Sequence, residues 1–322
     1  MSKRRMLCPM RRVSFVLAAG IAGLLLCPGL RAQTPPGSLF DVTIAPGANY
    51  DKANFRLWLP DGVGAVRGVA VLVPGSNGDG RGEVSDAAWQ AFAVKHKLAL
   101  VGCQVTDKPH DQGFIEDYVN MPKGTGDAFL DALGKLAAQS KHPEVASAPL
   151  FLWGMSAGGQ FNYEFNAWKP ERVAAFVVNK GGIYYTALAS KGARDVPGIL
   201  FVGGKDLEFR TNTITGLFAV NRRAGALWAL AEEPAVGHIV GRSKELTMMF
   251  FEDVMPLRLV DGPSGVTLKA MDPKSGFIGD FKTKTFKPIA DAGAISVPTA
   301  WLPTERVAKA WMAMLTETPF VK

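Results

Sequence analysis

Six short, continuously apolar runs narrow the choice of fold more than any other part of this sequence. In a half-buried antiparallel strand, apolar and polar residues alternate, whereas a strand covered on both faces by helices is apolar throughout. The runs occupy residues 68–73, 98–103, 150–153, 173–178, 198–202 and 227–230. They predict a parallel sheet that is buried between layers of helices.

Stretches with the apolar spacing of amphipathic helices accompany these runs. They occupy residues 87–95, 127–140, 160–168, 211–223 and 244–254. Two alternating segments near the beginning, residues 41–45 and 55–59, are typical of half-buried antiparallel strands. Strands that alternate with helices predict an α/β fold with a mostly parallel central sheet flanked by helices.

The segment at residues 260–322 differs in character from the rest. Turns rich in Gly, Asp and Lys are expected around residues 276–280, and a last helix is expected at residues 304–314. We expect a small C-terminal appendage packed on the α/β domain of residues 41–259, with a separate small domain as the alternative. The polar, Pro-rich residues 33–40 predict a flexible lead-in.

The first 32 residues have the pattern of a secretory signal peptide. Basic residues up to Arg12 precede an apolar run at residues 13–26, and Ala32 suits the position before a cleavage site. A transmembrane anchor is an alternative, but the run is shorter than the ~20 apolar residues that span a bilayer. A lipoprotein anchor at Cys27 and twin-arginine export through Arg11 and Arg12 are further alternatives. We therefore expect an exported protein, periplasmic or secreted, without a stable membrane anchor in its mature form.

Removal of this leader changes the charge and the cysteine count. It holds six of the 36 Lys and Arg and none of the 29 Asp and Glu, so the remaining chain has a net charge of +1. Nothing in the remainder indicates the basic face of a nucleic-acid-binding protein. Cys8 and Cys27 belong to the leader, which leaves Cys103 without a partner for an internal disulfide. The domain must therefore be held together by its core, and it is long enough to have a large one.

The run at residues 150–153 ends in Gly154-Met155-Ser156-Ala157-Gly158, a G-x-S-x-G pattern. Small residues on both sides allow a sharp turn from a strand into a helix that leaves the serine hydroxyl exposed. Such a turn is known as a nucleophile elbow. Because the short pattern also occurs by chance, the chemistry depends on partners elsewhere in the chain.

A serine nucleophile needs a base, and the chain has four histidines. His238 follows the last strand-like run, at the sheet edge where α/β proteins present functional groups. It also follows the serine in the chain order that this type of fold requires. His96 and His142 are expected at the surface, and His110 precedes the serine. His238 is therefore the candidate base, with a structural loop histidine as the alternative.

The base in turn needs a carboxylate that holds its ring in the required tautomer. Asp206 comes after the run at residues 198–202 and two glycines, at the same predicted sheet edge. Its alternative role is to cap the following helix. Glu208 and Asp195 are less well placed. Asp206 is therefore the candidate orienting residue.

Stabilisation of an oxyanion requires two backbone N–H groups. The first candidate is the N–H of Ala157, the residue after the serine. The second is expected in the glycine-rich loop after residues 68–73, where Ser76 is the first choice and Asn77 the second. A flexible surface loop is the alternative. This chemistry implies no metal and no cofactor.

The G-x-S-x-G pattern, Asp206 and Gly237-His238 together resemble the α/β-hydrolase superfamily, over roughly residues 50–259. Within it the chain is similar to secreted esterases of the feruloyl-esterase, polyhydroxybutyrate-depolymerase and dienelactone-hydrolase-like groups. The sequence departs from many relatives in having Pro74-Gly75 where His-Gly is common, and it lacks the paired cysteines of many secreted depolymerases. The resemblance implies an α/β-hydrolase fold and the activity of a serine esterase.

Cap domains in this fold usually follow the sixth strand, where this chain has a short connection at residues 179–197. We therefore expect an open cleft that admits bulky, aromatic or polysaccharide-linked esters. The candidates to line this cleft, each with ordinary packing as the alternative, are His110, Phe114, Tyr184 and Tyr185.

The sequence thus leads to one hypothesis and two alternatives. The hypothesis is a serine carboxylic-ester hydrolase that acts on a small or polymeric ester through Ser156, His238 and Asp206 and a covalent acyl-enzyme. The alternatives are a serine peptidase of the same fold and a non-catalytic exported binding protein. The oligomeric state is left open.

Overall fold

The computed structural model describes residues 35–320, apart from Gln112, Phe114, Ser264 and residues 294–298. The predicted signal peptide, with Cys8 and Cys27, and the predicted cleft residue Phe114 therefore lie outside the described residues. Among those that are described, eight strands form one central sheet: β1 (Gly37–Ile44), β2 (Lys52–Pro60), β3 (Gly68–Val73), β4 (Leu98–Thr106), β5 (Leu150–Gly154), β6 (Val173–Asn179), β7 (Gly198–Gly203) and β8 (Trp228–Glu233).

The strands of this sheet lie in the spatial order β1-β2-β4-β3-β5-β6-β7-β8. The β1/β2 and β2/β4 pairs are antiparallel. Every pair from β4 to β8 is parallel. The prediction of a mostly parallel central sheet is therefore confirmed.

Helices cover both faces of the sheet. In the described part of the chain they are α1 (Ala87–His96), α2 (Thr125–Ser140), α3 (Ala157–Trp168), α4 (Lys191–Arg194), α5 (Glu208–Arg223), α6 (Ser243–Arg258) and α7 (Glu305–Leu315). The helices α2, α3 and α5 cover one face and supply aromatic rings such as Phe129, Phe161 and Phe218. The helices α1, α6 and α7 cover the other face, with Trp89, Phe250 and Trp311. None of the helices in these described residues is long and apolar enough to cross a membrane.

Successive residues of a strand point to opposite faces, so each central strand contributes to both cores. In β3, Val69 and Val71 belong to one hydrophobic cluster, while Ala70 and Leu72 belong to the other. All six residues of this strand are buried. Burial on both faces explains why the central strands are apolar throughout, and why each begins within one residue of its predicted start.

The beginning of the domain differs from the prediction. The strand β1 begins at Gly37, so residues 37–40 are not the flexible lead-in that their composition suggested. They pair with β2 in antiparallel register from Gly37 opposite Pro60. Backbone pairing to a neighbouring strand thus outweighs the weak intrinsic preference of a polar, Pro-rich segment.

Residues 260–320 form small sheets and a helix that pack on the main domain. The strands are β9 (Leu259–Gly262), β10 (Gly265–Leu268), β11 (Phe277–Asp280), β12 (Thr285–Pro288) and β13 (Thr299–Leu302). The turns predicted around residues 276–280 lie at residues 273–274 and 281–284, on either side of β11, which pairs with β12 and β13. A Cβ at Gly279 would lie 2.7 Å from the Trp311 ring, so this glycine permits close packing rather than a turn. The indole N–H of Trp311 donates to the Leu230 carbonyl of β8 at 2.6 Å, and the described residues form one compact unit.

Candidate active site

The three residues predicted to carry the chemistry follow three parallel strands. Ser156 comes after β5, Asp206 after β7 and His238 after β8. The carboxyl ends of parallel strands meet at one edge of a sheet, so the fold brings all three to the same edge. This is the edge at which ligands bind in open α/β sheets.

Ser156 occupies a strained turn between β5 and α3. Its backbone has φ +56° and ψ −125°, outside the regions that residues other than glycine favour. The turn is fixed because the N–H of Ser156 donates to the Asn179 carbonyl of β6 at 2.8 Å. The side chain is half-buried. This is the geometry of a nucleophile elbow.

The two glycines around Ser156 are required by packing. A Cβ at Gly154 would lie 2.6 Å from the carbonyl oxygen of Gly158. A Cβ at Gly158 would overlap the carbonyl oxygen of Val73, at the end of β3. The first turn of α3 therefore lies directly against β5 and β3, and only glycine fits at these two positions.

Asp206 and His238 are in direct contact. Oδ2 of Asp206 lies 2.8 Å from Nδ1 of His238, and the side chains are 2% and 31% exposed, respectively. The other carboxylate oxygen accepts hydrogen bonds from the Leu207 N–H at 2.7 Å and from the Arg210 guanidinium at 3.2 Å. Asp206 is not the cap of α5, since Leu207 occupies the N-cap position. The alternative role of Asp206 as a helix cap is therefore excluded.

These contacts keep Asp206 ionised. Burial alone would raise the pKa of its carboxyl group, but the hydrogen bonds from His238 and from the Leu207 N–H outweigh burial and lower the pKa below its usual value. A buried carboxylate holds a histidine ring in one orientation and fixes its proton on the bonded nitrogen. The contact with Asp206 is made by Nδ1 and leaves Nε2 of His238 outside it.

The predicted oxyanion donors lie on two segments beside Ser156. Ala157 is the first residue of α3, and the first N–H groups of a helix have no acceptor within it. The other segment is the loop after β3, where a Cβ at Gly75 would lie 3.6 Å from the Cβ of Ser156. Gly75 is therefore adjacent to the serine turn, and Ser76 and Asn77 follow it directly in this loop.

The loop that carries Ser76 and Asn77 is held in place, unlike a flexible surface loop. The Gly78 N–H donates to the Gly75 carbonyl at 3.0 Å. Asn77 has φ +54°, a conformation that asparagine adopts more readily than most residues. Its side-chain oxygen accepts the Asp107 N–H at 2.7 Å and so ties the loop to the end of β4.

A groove begins at this loop. Ser76, Asn77 and His110 line a cavity of about 390 Å³. His110 also lines an adjoining cavity of about 510 Å³ that extends to Tyr185. Nε2 of His110 lies 3.3 Å from Oδ2 of Asp107.

The two predicted tyrosines have different surroundings. Tyr185 is 44% exposed, and its hydroxyl donates to the Glu116 carbonyl at 3.4 Å. Burial and nearby acidic groups raise the pKa of Tyr185 to about 12. Tyr184 does not line either cavity, which corrects the prediction for this residue. Its ring packs on Tyr163 with the centroids 5.1 Å apart, and its hydroxyl is buried against Gly181.

A buried ion pair at the same sheet edge was not predicted. Nζ of Lys180, after β6, lies 2.8 Å from Oε1 of Glu233, the last residue of β8. Their side chains are 0% and 3% exposed. A charged residue directly after an apolar strand, as Lys180 is after β6, was a signal in the sequence that could have indicated a buried charge here, although not its partner. As for metals, no group of three or more His, Cys, Asp or Glu within the described ranges is arranged to hold an ion.

No protein-family model matches the sequence, and no curated protein matches it either. Solved structures do match. Poly(aspartic acid) hydrolase-1 from Sphingomonas sp. KT-1 has a TM-score of 0.50 and 16% identity, with 66% of this chain and 98% of that chain covered. A ferulic acid esterase has a TM-score of 0.49 and 13% identity, with 70% and 99% covered. A poly(3-hydroxybutyrate) depolymerase from Bordetella parapertussis has a TM-score of 0.44 and 17% identity, with 67% and 87% covered.

At such identities a structural likeness shows the fold. The strand order, the mostly parallel sheet with helices on both faces, and the likeness to the first of these structures agree with one another. The fold predicted from the sequence is confirmed: the chain has the α/β-hydrolase fold.

Proposed function

We propose that this protein is an exported serine carboxylic-ester hydrolase, with Ser156 as nucleophile, His238 as base and Asp206 as the residue that orients the base. The observation that carries the proposal is the hydrogen bond between Asp206 and His238, at the edge where Ser156 occupies its strained turn. His238 is half-exposed, and its Nδ1 is bound by a buried carboxylate. Such a histidine is suited to accept a proton at Nε2. The order Ser, Asp, His along the chain is the order used on this fold.

In the first half of the proposed reaction, Oγ of Ser156 attacks the carbonyl carbon of the ester while Nε2 of His238 takes the serine proton. The Asp206 carboxylate stabilises the resulting imidazolium. The negative oxygen of the tetrahedral intermediate accepts the Ala157 N–H and an N–H of the loop after β3. When the intermediate collapses, the imidazolium gives its proton to the leaving alcohol and the acyl group remains on Ser156.

In the second half, water takes the place of the alcohol. Nε2 of His238 accepts a proton from the water as its oxygen attacks the acyl-serine carbonyl. The imidazolium then returns the proton to Oγ of Ser156, and a carboxylic acid leaves. Ester and water are consumed, acid and alcohol are produced, and the enzyme returns to its starting state.

The groove supports a bulky or extended ester as the substrate. The two cavities share the lining residues Lys108, Pro109, His110 and Ile115, so they adjoin one another. The cavity lined by Ser76 and Asn77 lies at the loop whose Gly75 is next to the Ser156 turn. Its lining mixes charged, polar and apolar side chains, which suits a polar alcohol portion such as a saccharide or an aromatic hydroxy acid. The connection between β6 and β7 contains only the four-residue α4, so the described residues there include no cap.

The N-terminal sequence supports export of the protein. Basic residues followed by an apolar run at residues 13–26 form the pattern that export machinery recognises. Expression of the full chain in a bacterial host, followed by fractionation and mass measurement, tests this point. We expect a periplasmic or secreted protein shortened by about 32 residues. A cytoplasmic protein of full mass would contradict export without bearing on the chemistry.

The activity is tested by labelling and by a substrate panel. A fluorophosphonate probe, which reacts with activated serines, should label the wild-type protein but not the Ser156→Ala variant. The panel contains short p-nitrophenyl esters, aryl esters, acetylated or feruloylated polysaccharides and a peptide series. We expect hydrolysis of the larger esters, and loss of all activity in Ser156→Ala.

Each other outcome has a defined meaning. An unlabelled and inactive wild type would indicate the non-catalytic binding protein. Cleavage of peptides in preference to esters would indicate a peptidase of the same fold. Cleavage of short esters alone would keep the reaction class but contradict the proposed substrate class.

A further inference from the structure

We propose that a buried polar network of Asn179, Lys180, Glu233 and Ser243 is a positioning device for the active site, because it joins the Ser156 turn to the loop that carries His238. This inference rests on the proposed function, since it assigns these residues to the support of that reaction. None of the four is proposed to touch the substrate. They are positioning residues.

The centre of the network is the ion pair of Lys180 and Glu233. Nζ of Lys180 donates to Oε1 of Glu233 at 2.8 Å and to Oδ1 of Asn179 at 3.1 Å. Lys180 has φ +54°, so its backbone leaves the extended path of β6 where its side chain enters the network. An ammonium and a carboxylate this deeply buried must be paired, because removal from water costs each charge several kcal/mol.

Glu233 closes the loop that carries His238. It is the last residue of β8, and its Oε2 accepts the N–H of Arg242, just before α6 begins. The carboxylate of Glu233 thus joins the two ends of the ten-residue segment from 233 to 242. A Cβ at Gly241, which has φ +58°, would overlap Oε2 of Glu233. The loop therefore lies tightly over the carboxylate and has little freedom to shift.

Asn179 connects the same network to the nucleophile. Its backbone carbonyl accepts the Ser156 N–H at 2.8 Å, and its side-chain oxygen accepts Nζ of Lys180. Its side-chain nitrogen donates to Oγ of Ser243 at 2.7 Å. An unbroken series of hydrogen bonds therefore runs from the Ser156 backbone through Asn179, Lys180 and Glu233 to the backbone of the His238 loop.

The energetics favour a role in positioning. A buried ion pair contributes little net stability compared with apolar residues of the same size, whereas loss of one partner is costly. What the pair does provide is a fixed geometry between two loops on strands that are not neighbours, since β7 lies between β6 and β8. A misplacement of about 1 Å between catalytic groups is enough to cost roughly 100-fold in rate.

The test variant is Glu233→Gln, and its matched control is Arg258→Met. Glutamine keeps the size of Glu233, but an amide NH2 replaces one of the two carboxylate oxygens, so either Lys180 or the Arg242 N–H loses its acceptor. Arg258 is 7% exposed, and its guanidinium donates to the carbonyls of Val173 and Ala174. It therefore binds the first residues of β6, at the end opposite to Lys180. Both changes remove bonds of a buried charged group, but only one lies at the active-site edge.

Two measurements are made on each variant. The first is kcat and KM on the best ester from the panel, at a temperature well below both unfolding midpoints. The second is amide hydrogen exchange, without substrate, of peptides that cover residues 234–243. For Glu233→Gln we expect kcat to fall about 10- to 100-fold with KM within about twofold, and the loop amides to exchange at least ~10-fold faster. For Arg258→Met we expect a lower unfolding midpoint, with both readouts close to wild type.

The outcomes separate this inference from the proposed function. Loop exchange equal to wild type in Glu233→Gln would overturn the inference whatever the activity. Faster exchange with unchanged kcat, or equal losses of kcat in Glu233→Gln and Arg258→Met, would also overturn it. If the wild type hydrolyses no ester, the proposed function fails, and with it the positioning role. The exchange data would still show whether Glu233 restrains the loop at residues 234–243. If Glu233→Gln does not fold, Ser243→Ala takes its place, because it removes the acceptor of the Asn179 side chain and the hydrogen bond that the Ser243 hydroxyl donates to the Val240 carbonyl of the same loop. The expected loss in kcat is about 3- to 10-fold.

Discussion

Oδ2 of Asp206 lies 2.8 Å from Nδ1 of His238, although the two residues are 32 positions apart and belong to loops after different strands. The contact is possible because β7 and β8 are parallel neighbours, so their carboxyl ends are side by side. The backbones of the two loops are also joined, since the Lys205 N–H donates to the Val236 carbonyl at 3.0 Å. Both the side chains and the backbone thus hold the ring of His238 in place.

Replacement of Asp206 by asparagine tests the role of this contact. We expect Asp206→Asn to lower kcat by about 10³- to 10⁴-fold with little change in KM, because an amide can hold the ring in the wrong tautomer and cannot stabilise the imidazolium. The measurement is steady-state kinetics on an ester at neutral pH. A loss of less than about tenfold would show that His238 does not depend on Asp206, and would direct attention to Glu208 or Asp195.

The lowered pKa of Asp206 predicts a pH dependence of stability. A carboxyl group whose pKa is lower in the folded state stabilises that state above its unfolded pKa of about 3.9, and the contribution disappears as the pH falls through the folded value. We therefore expect the midpoint of thermal unfolding to be higher for wild type than for Asp206→Asn at pH 6 to 8. The difference should shrink steadily below about pH 4. A difference that is constant with pH would show that packing, not charge, is responsible.

The glycine at position 158 has a steric role that can be isolated. Gly158→Ala would place a methyl group against the Val73 carbonyl oxygen and 2.7 Å from the Pro74 carbonyl oxygen. We expect the free energy of unfolding to fall by about 1–3 kcal/mol or more, which lowers the midpoint of thermal unfolding by roughly 3–10 °C. We also expect loss of activity. Calorimetry on purified protein measures the midpoint.

The control for this change is Gly134→Ala in α2. No atom lies within 4 Å of a Cβ at Gly134, and alanine is a better helix former than glycine by about 0.5–1 kcal/mol. We therefore expect Gly134→Ala to raise the midpoint slightly and to leave activity unchanged. Equal destabilisation by both changes would mean that the close approach of α3 to β3 is not the cause.

The parts of the fold that could be predicted are those in which burial alone decides the pattern. The run at residues 68–73 is apolar because both of its faces are covered, and β3 has the predicted bounds. The partnership of Asp206 and His238 could be proposed because strand ends in a parallel sheet meet at one edge. The structure adds the distance between Asp206 and His238, and the hydrogen bonds from Leu207 and Arg210 that hold the Asp206 carboxylate.

The parts that could not be predicted depend on contacts between distant segments. Tyr184 and Tyr185 are adjacent, but they lie in an irregular connection where no periodicity indicates which side chain points inward. The partner of Lys180 could not be identified among 29 acidic residues, because the pairing is made across β7. Gly279 suggested a turn, but it makes room for a tryptophan from a helix about thirty residues later.

Asn77 provides a test of the second oxyanion donor. Asn77→Gly preserves the left-handed backbone but removes the bond from its side-chain oxygen to the Asp107 N–H. If this bond holds the donor loop beside Ser156, we expect kcat to fall about 10- to 100-fold with KM nearly unchanged, since the oxyanion is present only in the transition state. Unfolding midpoints measured in parallel check that the domain remains intact. A rise in KM alone would instead place Asn77 in substrate binding.

Tyr185 and His110 test whether the groove binds the substrate. Tyr185 is 44% exposed at the far end of the groove, and His110 lies where the two cavities meet. For Tyr185→Ala and His110→Ala we expect KM for aryl or saccharide esters to rise about 3- to 30-fold, because a lost stacking or hydrogen-bond contact is worth roughly 1–2 kcal/mol. The KM for p-nitrophenyl acetate should not change, since its acyl and leaving groups are too small to reach Tyr185.

The matched control is Tyr184→Phe. The Tyr184 hydroxyl is buried against Gly181, so its loss should leave KM for every ester unchanged. A rise in KM for the short ester as well would mean that these side chains support the catalytic loops, and that the large substrate binds elsewhere on the surface.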